Sequence, residues 1–304
     1  MSEFKFGLVH APLTPFFNGH VDYETYGNVI DFHLGSGADG LALPMHAGES
    51  VSLTAEERKA LVAFAIKHVA NRVPVIVNVS EAGTAIASSL AAHARNTGAA
   101  ALVCSVPYYW TPPQSMLVEH FAAIGHAGGL PFFVVNSPAE FSEVEFASKS
   151  VVDLLAKSPH FAGLIDMSLD WQYMIEVVTV ARTARPNFQL ISGNEYMISA
   201  SAIGATGLLS PLASISPKLV RSLYDLCRIE DYKAARMPQE DAAILFRLFD
   251  SIGPAGLKAA AKAMGRDCGL PREPLPPMAD VPARTLVAEI SNVTSMKAEP
   301  RGWI

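Results

Sequence analysis

The chain has 304 residues, half of them hydrophobic, with 23 Lys and Arg against 29 Asp and Glu and a formal net charge of -6. That length and apolar content suit one large buried core with a small appendage. The negative balance argues against binding nucleic acid or an anionic membrane through bulk electrostatics.

The start, Met1 to Lys5, has no basic-then-apolar leader pattern, and no apolar run is long enough to span a bilayer, so a cytoplasmic protein is expected. From there, short runs rich in Val, Ile and Phe alternate with longer stretches of helical spacing, the pattern of βα units around a parallel sheet. The spacing predicts eight strands, near 6–11, 40–43, 73–79, 99–106, 131–136, 161–167, 188–192 and 207–210. Between them, 55–69 and 84–97 predict helices, the first favoured by its Ala, Glu, Arg and Lys content. Thr54 with Glu57 three residues on forms a capping-box pattern at the first of these. Beyond about Ile229 the strand signals stop, and 231–251, 255–265 and 282–295 predict helices. The expected fold is α/β, a (β/α)8 TIM barrel over 1–228 with a C-terminal helical domain and tail over 229–304. Cys104, Cys227 and Cys268 are odd in number, far apart and unlike any zinc or disulfide spacing, so they read as reduced core thiols.

Several short motifs follow one another along the chain. They are Leu13-Thr14-Pro15-Phe16 with Gly19 and Val21-Asp22, then Ala47-Gly48-Glu49-Ser50 with Leu53-Thr54 and Glu57-Arg58. Next come Pro107-Tyr108-Tyr109, Pro131 through Asn136-Ser137-Pro138, Gly193 and Gly204-Ala205-Thr206-Gly207, and finally Lys258 and Arg272-Glu273-Pro274-Leu275. In this order they resemble the dihydrodipicolinate synthase/N-acetylneuraminate lyase family over nearly the whole chain. The resemblance implies a barrel whose chemistry sits at the C-terminal ends of its strands. It also implies that the family's Schiff-base lysine falls on Ile165, its relay tyrosine on Val135, the two threonines of its Gly-Thr-Thr-Gly-Glu turn on His46 and Ala47, and the synthase branch's carboxylate-binding arginine on Glu140. Isoleucine has no nitrogen with which to form an imine, so Schiff-base chemistry is expected to be absent. The tyrosine that reaches a neighbouring subunit in the family falls on Tyr109, and the family's habit implies a homodimer or homotetramer.

The remaining site candidates follow from residue type. No Lys or Arg falls in the expected strand-end loops, whereas Glu49, Glu81, Glu140, Glu143, Asp166, Asp170 and Glu195 do. That mouth is poorly suited to a dicarboxylate, although acids near helix starts also serve as caps. His46 leaves three roles open: general acid or base, metal ligand with Asp166, Glu140 or Glu195, or a partner for a loop carbonyl. Without a paired His spacing, no metal is expected, and no cofactor. The candidate catalytic groups are His46, Tyr109 and Asp166, with Ala47, Val135, Asn136, Glu140, Ile165, Gly193 and Asn194 lining a small-molecule site. Two functions compete: a lyase acting on a small oxo- or hydroxy-acid-type compound without an imine, and a catalytically silent relative that binds a ligand or supports assembly.

Overall fold

Eight parallel strands alternate with eight helices. Leu8–His10 (β1) leads to Tyr23–Gly35 (α1), Gly40–Leu43 (β2) to Ala55–Val69 (α2), Val75–Asn78 (β3) to Thr84–Thr97 (α3), and Ala101–Ser105 (β4) to Gln114–Gly128 (α4). Phe132–Asn136 (β5) leads to Ser148–Lys157 (α5), Phe161–Asp166 (β6) to Trp171–Ala184 (α6), Gln189–Ser192 (β7) to Met197–Ile203 (α7), and Gly207–Ser210 (β8) to Pro217–Arg228 (α8). The sheet closes on itself, β1 pairing with both β2 and β8. This computed structural model describes residues 4–108, 111–138, 143–250 and 252–303. Tyr23–Gly35 and Ala55–Val69 begin at side-chain caps, from Asp22 and from the Thr54/Glu57 box, whose reciprocal bonds are 3.1 and 3.0 Å long.

Period-two alternation divides each strand between two cores. Val9, Ile76, Phe133, Val135, Ile165 and Ile191 form the barrel interior, while Leu8, Leu102, Phe132, Leu164 and Leu208 face the helices. Gly163 in β6 has to be glycine, because a Cβ there would lie 2.2 Å from the Gln189 carbonyl oxygen of β7. Six of the strands are shorter than the apolar runs that announce them, since the run ends lead into the loops, while β2 and β8 match theirs. A two-residue hairpin, Phe16–Phe17 against His20–Val21, was not expected from the spacing.

After α8 come Tyr232–Asp250 (α9), Gly253–Ala263 (α10) and Asp280–Asn292 (α11). The C-terminal region is tied to the turn after β2 by charge. Lys258 Nζ lies 2.6 Å from Glu49 Oε1, with both side chains almost wholly buried. The Arg272 backbone N–H donates to Glu49 Oε2 at 2.7 Å, and its guanidinium grips both oxygens of Glu57 at 2.6 and 2.9 Å. Lys258 and Arg272 both lie over the Phe16 ring, at 4.3 and 4.4 Å. Four of the sequence motifs therefore meet in one clamp. Among the described residues no helix is long and apolar enough to cross a membrane.

Candidate functional site

A cavity of about 150 Å³ opens where the strands end. Ala11, Val135, Met167 and Leu209 give it an apolar floor, with Gly193 beside them. The C-terminal helices supply a roof, through Phe246 and Phe249 of α9 and Pro254 and Leu257 of α10. His46 stands in the short 3-10 turn His46–Gly48 after β2, lines the cavity and is solvent-exposed. The roof comes close to it: a Cβ on Gly253 would sit 3.9 Å from His46 Nε2. Ala47 lines the cavity beside His46.

One flank of the cavity is a polar network that sequence reasoning missed. Arg58, early in α2, turns back to the strand ends, although no basic residue was expected there. Its Nη1 donates to Glu81 Oε1 at 2.7 Å and to the Ser80 carbonyl at 3.1 Å, and its Nη2 donates to the Asn78 carbonyl at 2.9 Å. Tyr108 Oη donates to Glu81 Oε2 at 3.0 Å. Burial lowers the Arg58 pKa despite Glu81, and burial together with the Glu81 charge pushes Tyr108 up to about 12. Asn78 ties this flank to β2 by donating to the Pro44 carbonyl at 2.8 Å. The only available signal was position: the residue after the capping-box Glu57 is carried onto the barrel side of the helix.

The structure separates the other candidates into lining and supporting residues. Val135 and Gly193 line the cavity. Ile165 does not: it is fully buried in register with Val135 and Ile191. Gly193 makes the room that Met167 and Ile165 fill, since a Cβ there would lie 2.2 Å from Met167 Cγ and 3.1 Å from Ile165 Cγ2. Asp166 and Asn136 hold each other outside the cavity lining. Asn136 Nδ2 donates to Asp166 Oδ2 at 2.7 Å, Ser168 donates to Oδ1 from backbone and hydroxyl at 3.1 and 2.8 Å, and Asn136 Oδ1 accepts from Phe146 N at 2.9 Å. Burial nonetheless raises the Asp166 pKa. Asn194 Oδ1 accepts from Tyr196 N at 3.2 Å, a loop bond within its own segment. Tyr109 and Glu140, together with Trp110, lie outside the described residues.

Glu195 is buried behind this site. Its Oε1 accepts from Ser210 Oγ at 2.5 Å and from Leu212 N at 3.4 Å, while Oε2 has no partner among the described residues, and burial pushes its pKa up to about 7. Among the described residues, no lysine lines the cavity and no group of three or more His, Cys, Asp or Glu is placed to hold a metal ion.

A pocket built from the loops at the C-terminal ends of eight parallel strands is the arrangement through which (β/α)8 barrels bind small molecules. Sequence comparison gives the family: the profile of the dihydrodipicolinate synthetase family matches residues 5–293, and the chain belongs to it. It is 32% identical over 295 residues to the 4-hydroxy-tetrahydrodipicolinate synthase of Bartonella bacilliformis, covering 96% of this chain and 99% of that one. A protein of the same name from Roseobacter denitrificans is 32% identical over 276 residues, 90% of this chain and 93% of its own length. The solved dihydrodipicolinate synthase from Aquifex aeolicus matches with a TM-score of 0.89 at 29% identity, covering 95% of this chain and 99% of that one.

Proposed function

We propose that the protein is a lyase of this family that acts on a small oxo- or hydroxy-acid-type compound without a lysine imine, with His46 moving the proton. The observation that carries the reading is His46 on a cavity whose floor is hydrocarbon and whose described lining holds no lysine. The one lysine carried over by family likeness, Lys258, is buried against Glu49 and also donates to the Leu270 carbonyl at 3.1 Å. An imidazole both accepts and donates a proton, which suits it to enolisation or β-elimination of a small substrate held on that floor. Ile165 stands at the position that the family likeness assigns to the imine lysine, so this reading excludes imine formation. The relatives' printed activity, 4-hydroxy-tetrahydrodipicolinate synthesis, is not assigned to this chain for the same reason. Family likeness also supports a cytoplasmic homodimer or homotetramer.

The test is proton NMR of a panel of 2-oxo and 2-hydroxy acids in D2O with the protein, which reads enolisation before any complete reaction is known. Exchange at the carbon next to the carbonyl, lost in His46→Ala, together with no mass gain on borohydride treatment with pyruvate, supports the proposal. A trapped pyruvate adduct, or exchange undiminished in His46→Ala, overturns it. The second reading, a catalytically silent ligand-binding member, draws on Val135, Met167 and Leu209, which have nothing to polarise a carbonyl. Ligand-induced thermal stabilisation without proton exchange favours that reading.

A further inference from the structure

The opposite end of the barrel carries a second and larger cavity, about 710 Å³, to which the proposed function assigns nothing. Its lining comes from the N-terminal ends of β1, β7 and β8, through Gly7, Gln189 and Thr206, and from the end of α8. That face of a barrel ordinarily contributes stability rather than chemistry. Here Lys5, Arg182 and Arg228 converge on it, opposed among the described lining residues by Glu230, in a chain whose net charge is -6.

These cations are not used up by the fold. Lys5 and Arg228 are exposed and form no ion pair among the described residues. Arg182 is held in place by two carbonyls, Nε donating to Phe188 at 3.3 Å and Nη2 to Gly204 at 2.7 Å, and its Nη1 has no acceptor among the described residues. Gly204, with φ of 108°, makes this placement possible, since a Cβ there would lie 2.7 Å from Nη1. Burial lowers the Arg182 pKa, which a negative charge beside it would offset. A fixed guanidinium with a free N–H and two exposed cations at the rim form a receptor for clustered oxyanions.

We propose that this cavity binds a small polyanion, a phosphorylated or polycarboxylate metabolite, with Arg182 as the fixed contact and Lys5 and Arg228 as the rim. The site is independent of the pocket at His46. Isothermal titration of the full chain with pyrophosphate and, separately, with citrate tests it. We expect a Kd of about 1 mM or tighter at low salt for at least one probe, weakening several-fold in 0.3 M salt as the charges are screened. Binding of pyrophosphate alone identifies a phosphorylated ligand, and binding of citrate alone a polycarboxylate. In the double variant Lys5→Gln/Arg228→Gln, which changes exposed side chains only, the affinity falls at least about fivefold, while His46→Ala binds as the parent does. Arg182→Gln should abolish binding, and its circular dichroism separates this from misfolding. No binding of either probe up to about 10 mM, undiminished binding in the double variant, or loss in His46→Ala overturns the proposal.

Discussion

Replacing Glu195 by glutamine should remove a pH-dependent loss of stability from the barrel. The carboxyl is fully buried, and its pKa is moved from 4.5 to about 7. At about 1.36 kcal/mol for each pH unit, that corresponds to about 3 kcal/mol between the two protonation states. Between pH 4.5 and 7 the folded protein holds a proton that the unfolded chain has released. The stabilising contribution is therefore fully present below pH 4.5 and is lost as pH rises through about 7. Glu195→Gln keeps the oxygen that accepts from Ser210 Oγ and Leu212 N and cannot ionise. At acid pH the variant should be the less stable by about 1–3 kcal/mol, because its amide N–H groups find no acceptor where Oε2 is unpartnered. By pH 8.5 the parent should have lost about 3 kcal/mol that the variant keeps. Urea denaturation from about pH 4 to about pH 8.5 reads this directly, with an unchanged m-value as the check that the transition is the same. Parallel pH profiles for parent and variant would refute the assignment of a buried ionising carboxyl.

Three further outcomes are expected. His10 and His33 share a 3.1 Å Nδ1 to Nδ1 contact in the layer between barrel and helices, and burial lowers both pKa values, His10 to about 3. The unfolded chain then binds protons as pH falls from about 6.5 towards 3, so stability is withdrawn over that range, and thermal denaturation of His10→Gln should show a shallower acid loss. Lys258→Met leaves Glu49 as an uncompensated buried carboxylate and should destabilise by about 3–5 kcal/mol in urea; adding Glu49→Gln should recover much of that, and a loss below about 1 kcal/mol would sink the clamp. Gly193→Ala drives a methyl into Met167, at a cost of about 1–3 kcal/mol, and a thermal midpoint restored by Met167→Ala would show that this contact is the cause.

Local pattern carried the fold. The helices Ala55–Val69 and Thr84–Thr97 fall where composition and spacing put them, and β2 and β8 span the same residues as the runs that announce them. A period of two or of 3.6 is set by neighbours in the chain and survives in any context. Side-chain destinations at the strand ends are a different kind of fact. His46 and Val135 reach the cavity, and so does Arg58, which belongs to a helix; Asp166, close by in β6, turns to Asn136 instead. Phe246 and Phe249 come from beyond the barrel to form the roof, and nothing in their own stretch of sequence separates them from ordinary core residues of an amphipathic helix. The sequence by itself determined the alternation of strand and helix, the family, and the isoleucine at position 165, because each is written in residue identity and order. Only the tertiary structure decided which polar groups face the ligand space and which bind one another, because barrel closure and the docking of α9 and α10 set those directions through contacts between residues far apart in the chain.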